Sequence, residues 1–246
     1  MIDATTLFIA AVFLIAGIVK GVVGLGLPTI AIGLLAVVMS PLEAAAILII
    51  PALITNVWQM LAGPSLGSVA RQLWPMLLAV CLGTWCGAPL MPAIAGPVAA
   101  AALGGTLILY ALSGLAAYRV SIPAAHKKIV GAVTGFVTGL ITAATGVFVI
   151  PAVPYLQAVG FDNEELVQAL GLSFTVSTVA LAVNVSGAGA LNAAMAGTSV
   201  MVLAMTCTGM WTGQSIRQRL SPVAFRQWFF GGLLLLGIYL LVRAFT

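Results

Sequence analysis

Lys20 is the residue of this sequence best placed to do chemistry. It is a cation that closes an apolar run of about a dozen residues, and Gly21, Gly24 and Gly26 follow it. An ionisable side chain inside a membrane segment is by default a functional candidate. One reading makes Lys20 a source of positive potential for an anion, helped by a half-helix N-terminus beginning near Pro28 and Thr29. The other makes it a lysine that snorkels to the membrane interface. Gly21, Gly24 and Gly26, with Gly139 and Gly146 in the second half, would let backbone N–H groups approach a ligand. Glycines also serve close helix packing.

Hydroxyl and amide side chains gather beside these glycines: Thr138, Thr142 and Thr145; Thr55, Asn56 and Gln59; Ser173, Thr175, Ser177, Thr178 and Asn184. They could replace the hydration shell of a small oxyanion, or act as polar glue between helices. Thr55 and Ser177, and Asn56 and Thr178, coincide when the two halves are superposed, which makes them the stronger candidates. Glu43 follows Pro41, and Asp162, Glu164 and Glu165 stand at the matching place in the second half. Acids in a first helical turn meet the helix dipole, so these read as capping residues, with proton coupling by Glu43 or Glu165 as the alternative. His126 is the only histidine, and Cys81, Cys86 and Cys207 read as small packing residues. No metal set or nucleophilic triad can be built from these residues, so neither an enzyme nor a bound cofactor or metal is expected.

Composition sets the surroundings. With 62% hydrophobic and 6% charged residues, the chain lacks the roughly 25% charged residues of a soluble surface and must lie in a lipid bilayer. The net charge of +4 comes from nine basic and five acidic residues. It reads as loop topology, with no nucleic-acid partner. The N-terminus has no basic stretch ahead of its apolar run, so no cleaved signal peptide is expected.

The elements that must position these residues form eight hydrophobic units: about 5–39, 42–62, 71–92, 97–117, 129–159, 165–187, 191–215 and 223–244. The motif C-x-G-x-W-x-G occurs at Cys81, Gly83, Trp85 and Gly87, and again at Cys207, Gly209, Trp211 and Gly213, 126 positions later. Trp85 and Trp211 are expected to pack within the repeat, whereas Trp58, Trp74 and Trp228 suit interfacial anchors. An all-α integral membrane protein follows, made of two homologous repeats, 1–120 and 121–246, of about four segments each. Duplication in so apolar a chain points to a transporter.

The first unit is too long for one straight crossing, since a helix over 5–39 would extend about 52 Å against a hydrocarbon core of about 30 Å. A break is expected over Lys20 to Pro28, and its equivalent over Thr138 to Pro151, because glycine and proline weaken a helix. Unwound backbone at membrane depth needs protein or a water-filled cavity around it, so paired breaks mark a binding site. If both broken units are re-entrant, each half crosses three times and the second half is inverted. Arg71, Arg119, Lys127, Lys128, Arg217, Arg219 and Arg226 then share one side, and only Arg243 lies opposite. The positive-inside rule favours this arrangement over eight full crossings, and puts both termini outside.

These features resemble the sulfite exporter TauE/SafE family of membrane permeases. The likeness rests on G-x-x-K-G-x-x-G-x-G-x-P from Gly17 to Pro28, its weaker echo from Gly135 to Pro151, P-x-E-A-A from Pro41 to Ala45, and the duplicated glycine helices. It implies a multi-pass plasma (inner) membrane permease for small anions such as sulfite, sulfoacetate or related organosulfonates. Members often have a further glycine where Leu27 stands, and the second motif reads TAATG, which shifts weight from backbone to Thr142 and Thr145. The expected mechanism is alternating access, with the anion near the midplane between the repeats. The expected partners are the anion and the bilayer, with a homodimer possible through the glycine faces. A passive anion channel and a non-transporting scaffold or assembly factor are the alternatives.

Overall fold

A computed structural model describes residues 4–89, 97–116, 121–188, 195–217 and 221–246. Arg119, Arg219 and the start of the seventh apolar unit lie outside the described residues. Helices α1 (Ala4–Val23) and α2 (Leu27–Leu35) make up the first unit, followed by α3 (Pro41–Leu61), α4 (Leu66–Gly87) and α5 (Pro97–Ala116). A short 3-10 turn (Ala124–His126) leads into α6 (Lys127–Thr145) and α7 (Ala152–Ala158), which form the fifth unit. Helices α8 (Asn163–Gly187), α9 (Met195–Arg217) and α10 (Pro222–Phe245) complete the chain. Seven of these are long and apolar enough to cross a membrane. Helix α9 is as long, but threonine, serine and glycine lower its apolarity.

Both expected breaks are present and both are made by glycine. Helix α1 ends one residue before Gly24, and α2 starts after Gly26, with φ of +79° and +103° at the two glycines. Helix α6 ends at Gly146, φ +72°. L-residues with a Cβ adopt this left-handed region at a cost of about 1–2 kcal/mol, which is why glycine stands there. The second break begins later than its sequence pattern suggests: Thr138, Thr142 and Thr145 are all helical, and the chain unwinds only over 146–151.

The capping boxes and the glycines of the two breaks repeat at one spacing. Ser40 caps α3 in a capping box with Glu43, and Asp162, 122 positions on, caps α8 in the same box with Glu165. Gly24 and Gly146 are also 122 apart. By the C-x-G-x-W-x-G motifs the offset has grown to 126, and the four added residues match the difference between α3 (21 residues) and α8 (25 residues).

Four helix pairs form the body. Gly83 and Gly87 of α4 meet Phe136, Leu140 and Ala143 of α6, while Gly135 and Gly139 meet Met76 and Val80. Positions rise together along both chains, so α4 and α6 run parallel. Gly17 and Gly21 of α1 meet Thr206 and Met210 of α9, and Gly209 and Gly213 meet Leu14 and Ile18, which is also a parallel pairing. Helices α3 and α8 are antiparallel, since Asn56 bonds Thr178 and Met60 lies against Gly171. Helices α5 and α10 are antiparallel too, with Gly104 on Gly237 and Tyr110 against Phe230. Without Cβ atoms the backbones of the parallel pairs come into direct contact, the usual route to tight association in lipid. Gly21 and Gly139 belong to these seams.

The repeated tryptophans do not pack inside. Trp85 is 47% and Trp211 73% exposed, so both point outward from the bundle, where an indole ring suits lipid or its interface. Cys86 and Cys207 are also exposed, and only Cys81 is partly covered. In each motif the glycines face the neighbouring helix, which turns Trp85 and Trp211 to the other side.

Candidate functional site

Lys20 is 3% exposed and lies in the last turn of α1, so it does not snorkel. Its Nζ donates to Thr55 Oγ1 at 3.0 Å and to Asn56 Oδ1. Thr55 Oγ1 in turn donates to Pro51 O at 2.7 Å, a carbonyl in its own helix. Asn56 Nδ2 donates to Thr178 Oγ1 at 3.3 Å, and Thr178 donates to Phe174 O at 2.6 Å. An ammonium, a hydroxyl and a carboxamide thus link α1, α3 and α8 in one chain of bonds. Asn56 and Thr178 are themselves 122 positions apart, the spacing of the two capping boxes and of Gly24 and Gly146.

The depth of this bond follows from helix geometry. From Pro41 to Asn56 and from Asn163 to Thr178 the rise is the same, about 22 Å at 1.5 Å per residue. The two helices are antiparallel, so the bond sits equally far from two helix starts that point to opposite ends of the bundle.

Lys20 is the one charged side chain that is buried among the described residues. The described carboxylates occupy the first turns of α3 and α8: Glu43 bonds Ser40, and Glu165 bonds the backbone of Asp162. Each is 13 positions (43 to 56, 165 to 178) from the Asn56–Thr178 bond, about 20 Å along its helix. Capping accounts for Glu43 and Glu165, and neither reaches Lys20.

The remaining sequence candidates divide into three groups. Gln59 spans the first break, its Nε2 donating to Gly24 O and to Val167 O, both at 3.0 Å. Thr142 and Thr145 donate to the carbonyls of Thr138 and Ile141 in their own helix, and Thr145 also accepts from Val147 N at 3.2 Å, which ties down the second break. Thr29, Thr138, Ser173 and Ser177 have buried hydroxyls without a protein partner. Such groups normally find a partner, and their burial costs about 1–3 kcal/mol each if they do not. Ser177 precedes Thr178 on α8, and Ser173 lies one turn earlier on the same face. The second break reaches this part of α8 through Phe148, whose ring centroid is 5.3 Å from that of Phe174.

Gln168 was not a sequence candidate and proves to be a strong tie. Its Nε2 donates to Met60 O (2.8 Å) and Gly63 O (2.6 Å), and its Oε1 accepts from Ser65 N (2.9 Å), fixing the α3–α4 connection to α8. Asn184 Nδ2 donates to Thr84 O at 2.7 Å and holds α8 to α4. A carboxamide in an apolar helix was the available signal for Gln168. Among the described residues no group of three or more His, Cys, Asp or Glu side chains is arranged to hold a metal.

No curated protein and no solved structure matches the chain. The model of the family described as Sulfite exporter TauE/SafE matches residues 9–240, which takes in both breaks, Lys20, and α3 and α8 entire. On this match the chain, a multi-pass membrane protein, belongs to the TauE/SafE family of sulfite exporters.

Proposed function

We propose that the protein is a plasma-membrane permease for small sulfur-containing anions, namely sulfite, sulfoacetate or related organosulfonates. The observation that carries this reading is Lys20, a buried cation that no carboxylate among the described residues reaches, held by neutral groups at the bond between α3 and α8. A charge taken out of water is costly unless something offsets it, and an anion would. Lys20 attracts the anion, and the hydroxyls of Thr138, Ser173 and Ser177 supply donors to its oxygens.

Two inverted repeats, 1–120 and 121–246, account for the helix directions. If α1 points up, parallel α9 points up, α8 and α10 point down, and their antiparallel partners α3 and α5 point up. Helix α4 then points down, as does its parallel partner α6. Each helix of the second half opposes its counterpart in the first. Helices α1 and α3 share a direction, so α2 must lead back between them, and the first unit is a hairpin that enters and leaves on one side. The same holds for α6, α7 and α8. Alternating access follows as movement of one repeat against the other about the Asn56–Thr178 contact.

The test is uptake of labelled sulfite and sulfoacetate into proteoliposomes holding the purified protein. Saturable flux that unlabelled anions compete for supports a carrier. Flux that rises without saturation would make the protein a passive channel, and no anion flux would leave a scaffold.

A further inference from the structure

We propose that the site selects singly charged anions over doubly charged ones, an inference that rests on the anion-permease reading above. The fold has two matching places for a cation and uses one. Lys20 lies four residues before Gly24, whose N–H bonds the Lys20 carbonyl at 2.7 Å. Thr142 lies four residues before Gly146, whose N–H bonds the Thr142 carbonyl at 2.8 Å. At the second place there is thus a hydroxyl, and it is spent on Thr138 O.

Among the described residues Lys20 is the one buried charge, and the side chains beside it at the Asn56–Thr178 bond are neutral hydroxyls or carboxamides: Thr55, Asn56, Ser177 and Thr178. The charge available to a bound anion is therefore one. A monoanion beside Lys20 makes a neutral pair. A dianion leaves one negative charge without a counterion in a water-poor interior, and its own dehydration is far more costly because solvation energy grows with the square of the charge. Hydroxyl donors lessen that cost but do not cancel a charge. The site is thus built for hydrogen sulfite and for sulfonates whose remainder is neutral, ahead of sulfate, the sulfite dianion and sulfoacetate.

Matched pairs test this with the intact protein in proteoliposomes. Isethionate and sulfoacetate are similar in size and differ by one charge, as do methanesulfonate and sulfate. Each would compete against labelled sulfite at one slightly acid pH. Isethionate and methanesulfonate are expected to inhibit at concentrations about tenfold or more below those of sulfoacetate and sulfate. As the pH is raised from slightly acid to slightly alkaline, hydrogen sulfite gives way to its dianion, and the ratio of sulfite flux to methanesulfonate flux is expected to fall. Equal or stronger inhibition by sulfoacetate or sulfate overturns the monoanion preference while leaving an anion carrier in place. Absence of saturable flux for every anion overturns the permease reading and this inference with it.

Discussion

Lys20 is held in its buried place by hydrogen-bond acceptors, Thr55 and Asn56, and by no opposing charge among the described residues. Replacing it by glutamine keeps a donor and much of the length but removes the attraction for an anion. Lys20→Gln is expected to lower the apparent affinity for sulfite by about ten- to hundredfold, the equivalent of a charged hydrogen bond of about 1.5–3 kcal/mol. Unchanged competition curves in proteoliposomes would remove Lys20 from the site. Gln168 predicts a different outcome. Gln168→Leu abolishes three bonds to the α3–α4 connection and should cost about 1–3 kcal/mol of stability. It should lower the unfolding temperature in detergent without altering the order of preference among anions, and a changed order would assign Gln168 a part in recognition. Lys20 was legible in the sequence because a cation stands out in an apolar run. The division of labour among hydroxyls was not, since Thr142 and Ser177 look alike in sequence and differ only in whether a carbonyl of their own helix takes the hydrogen.

The helices themselves depend on glycines of two kinds, and substitution should separate them. At Gly139 an added Cβ would press into the backbone of Val80 and Thr84, whereas at Gly105 nothing lies within 4 Å. Gly139→Ala is expected to destabilise the α4–α6 pair by about 1–3 kcal/mol, through overpacking that rigid backbone cannot relieve. Gly105→Ala should be neutral or slightly stabilising, because alanine favours a helix over glycine by up to about 1 kcal/mol. Thermal unfolding of the two variants side by side checks this, and equal effects would mean that the α4–α6 seam does not limit stability. Gly24 forms a third case: little crowds it, but its φ of +79° disfavours any side chain. At this scale the sequence was informative where glycine and proline punctuate it: each of the eight apolar units is built on helix where described, and the first and fifth are interrupted at the two breaks. It started the second break several residues early, because Thr138, Thr142 and Thr145 read as a polar interruption while all three are helical, and Thr142 and Thr145 bond back to carbonyls of their own helix. It also turned Trp85 and Trp211 the wrong way, since the spacing of a motif does not say which of its residues faces the neighbour.

For the whole molecule, the question is which ends of the helices share a side of the membrane. Eight full crossings would put Arg71 and Arg217 on opposite sides, whereas two hairpins with inverted repeats put them together. The second arrangement also sets Val37, between α2 and α3, at the same end as the C-terminal helix, and Arg243 Nη1 does donate to Val37 O at 2.5 Å. The basic residues at the opposite end then include Arg71, Lys127, Lys128, Arg217 and Arg226, and positive charge is retained on the cytoplasmic side. The expected outcome is specific. In a background with the three native cysteines replaced, Arg71→Cys and Arg217→Cys should both resist a membrane-impermeant thiol reagent added to intact cells and react once the membrane is opened. A cysteine in place of Thr246 should react from outside. Labelling of Arg71→Cys and Arg217→Cys from opposite sides would refute the inverted pairing, and with it the proposed midplane position of the Asn56–Thr178 bond. That bond would then no longer be equidistant from the two membrane faces, and movement of one repeat against the other could not expose Lys20 to each side in turn.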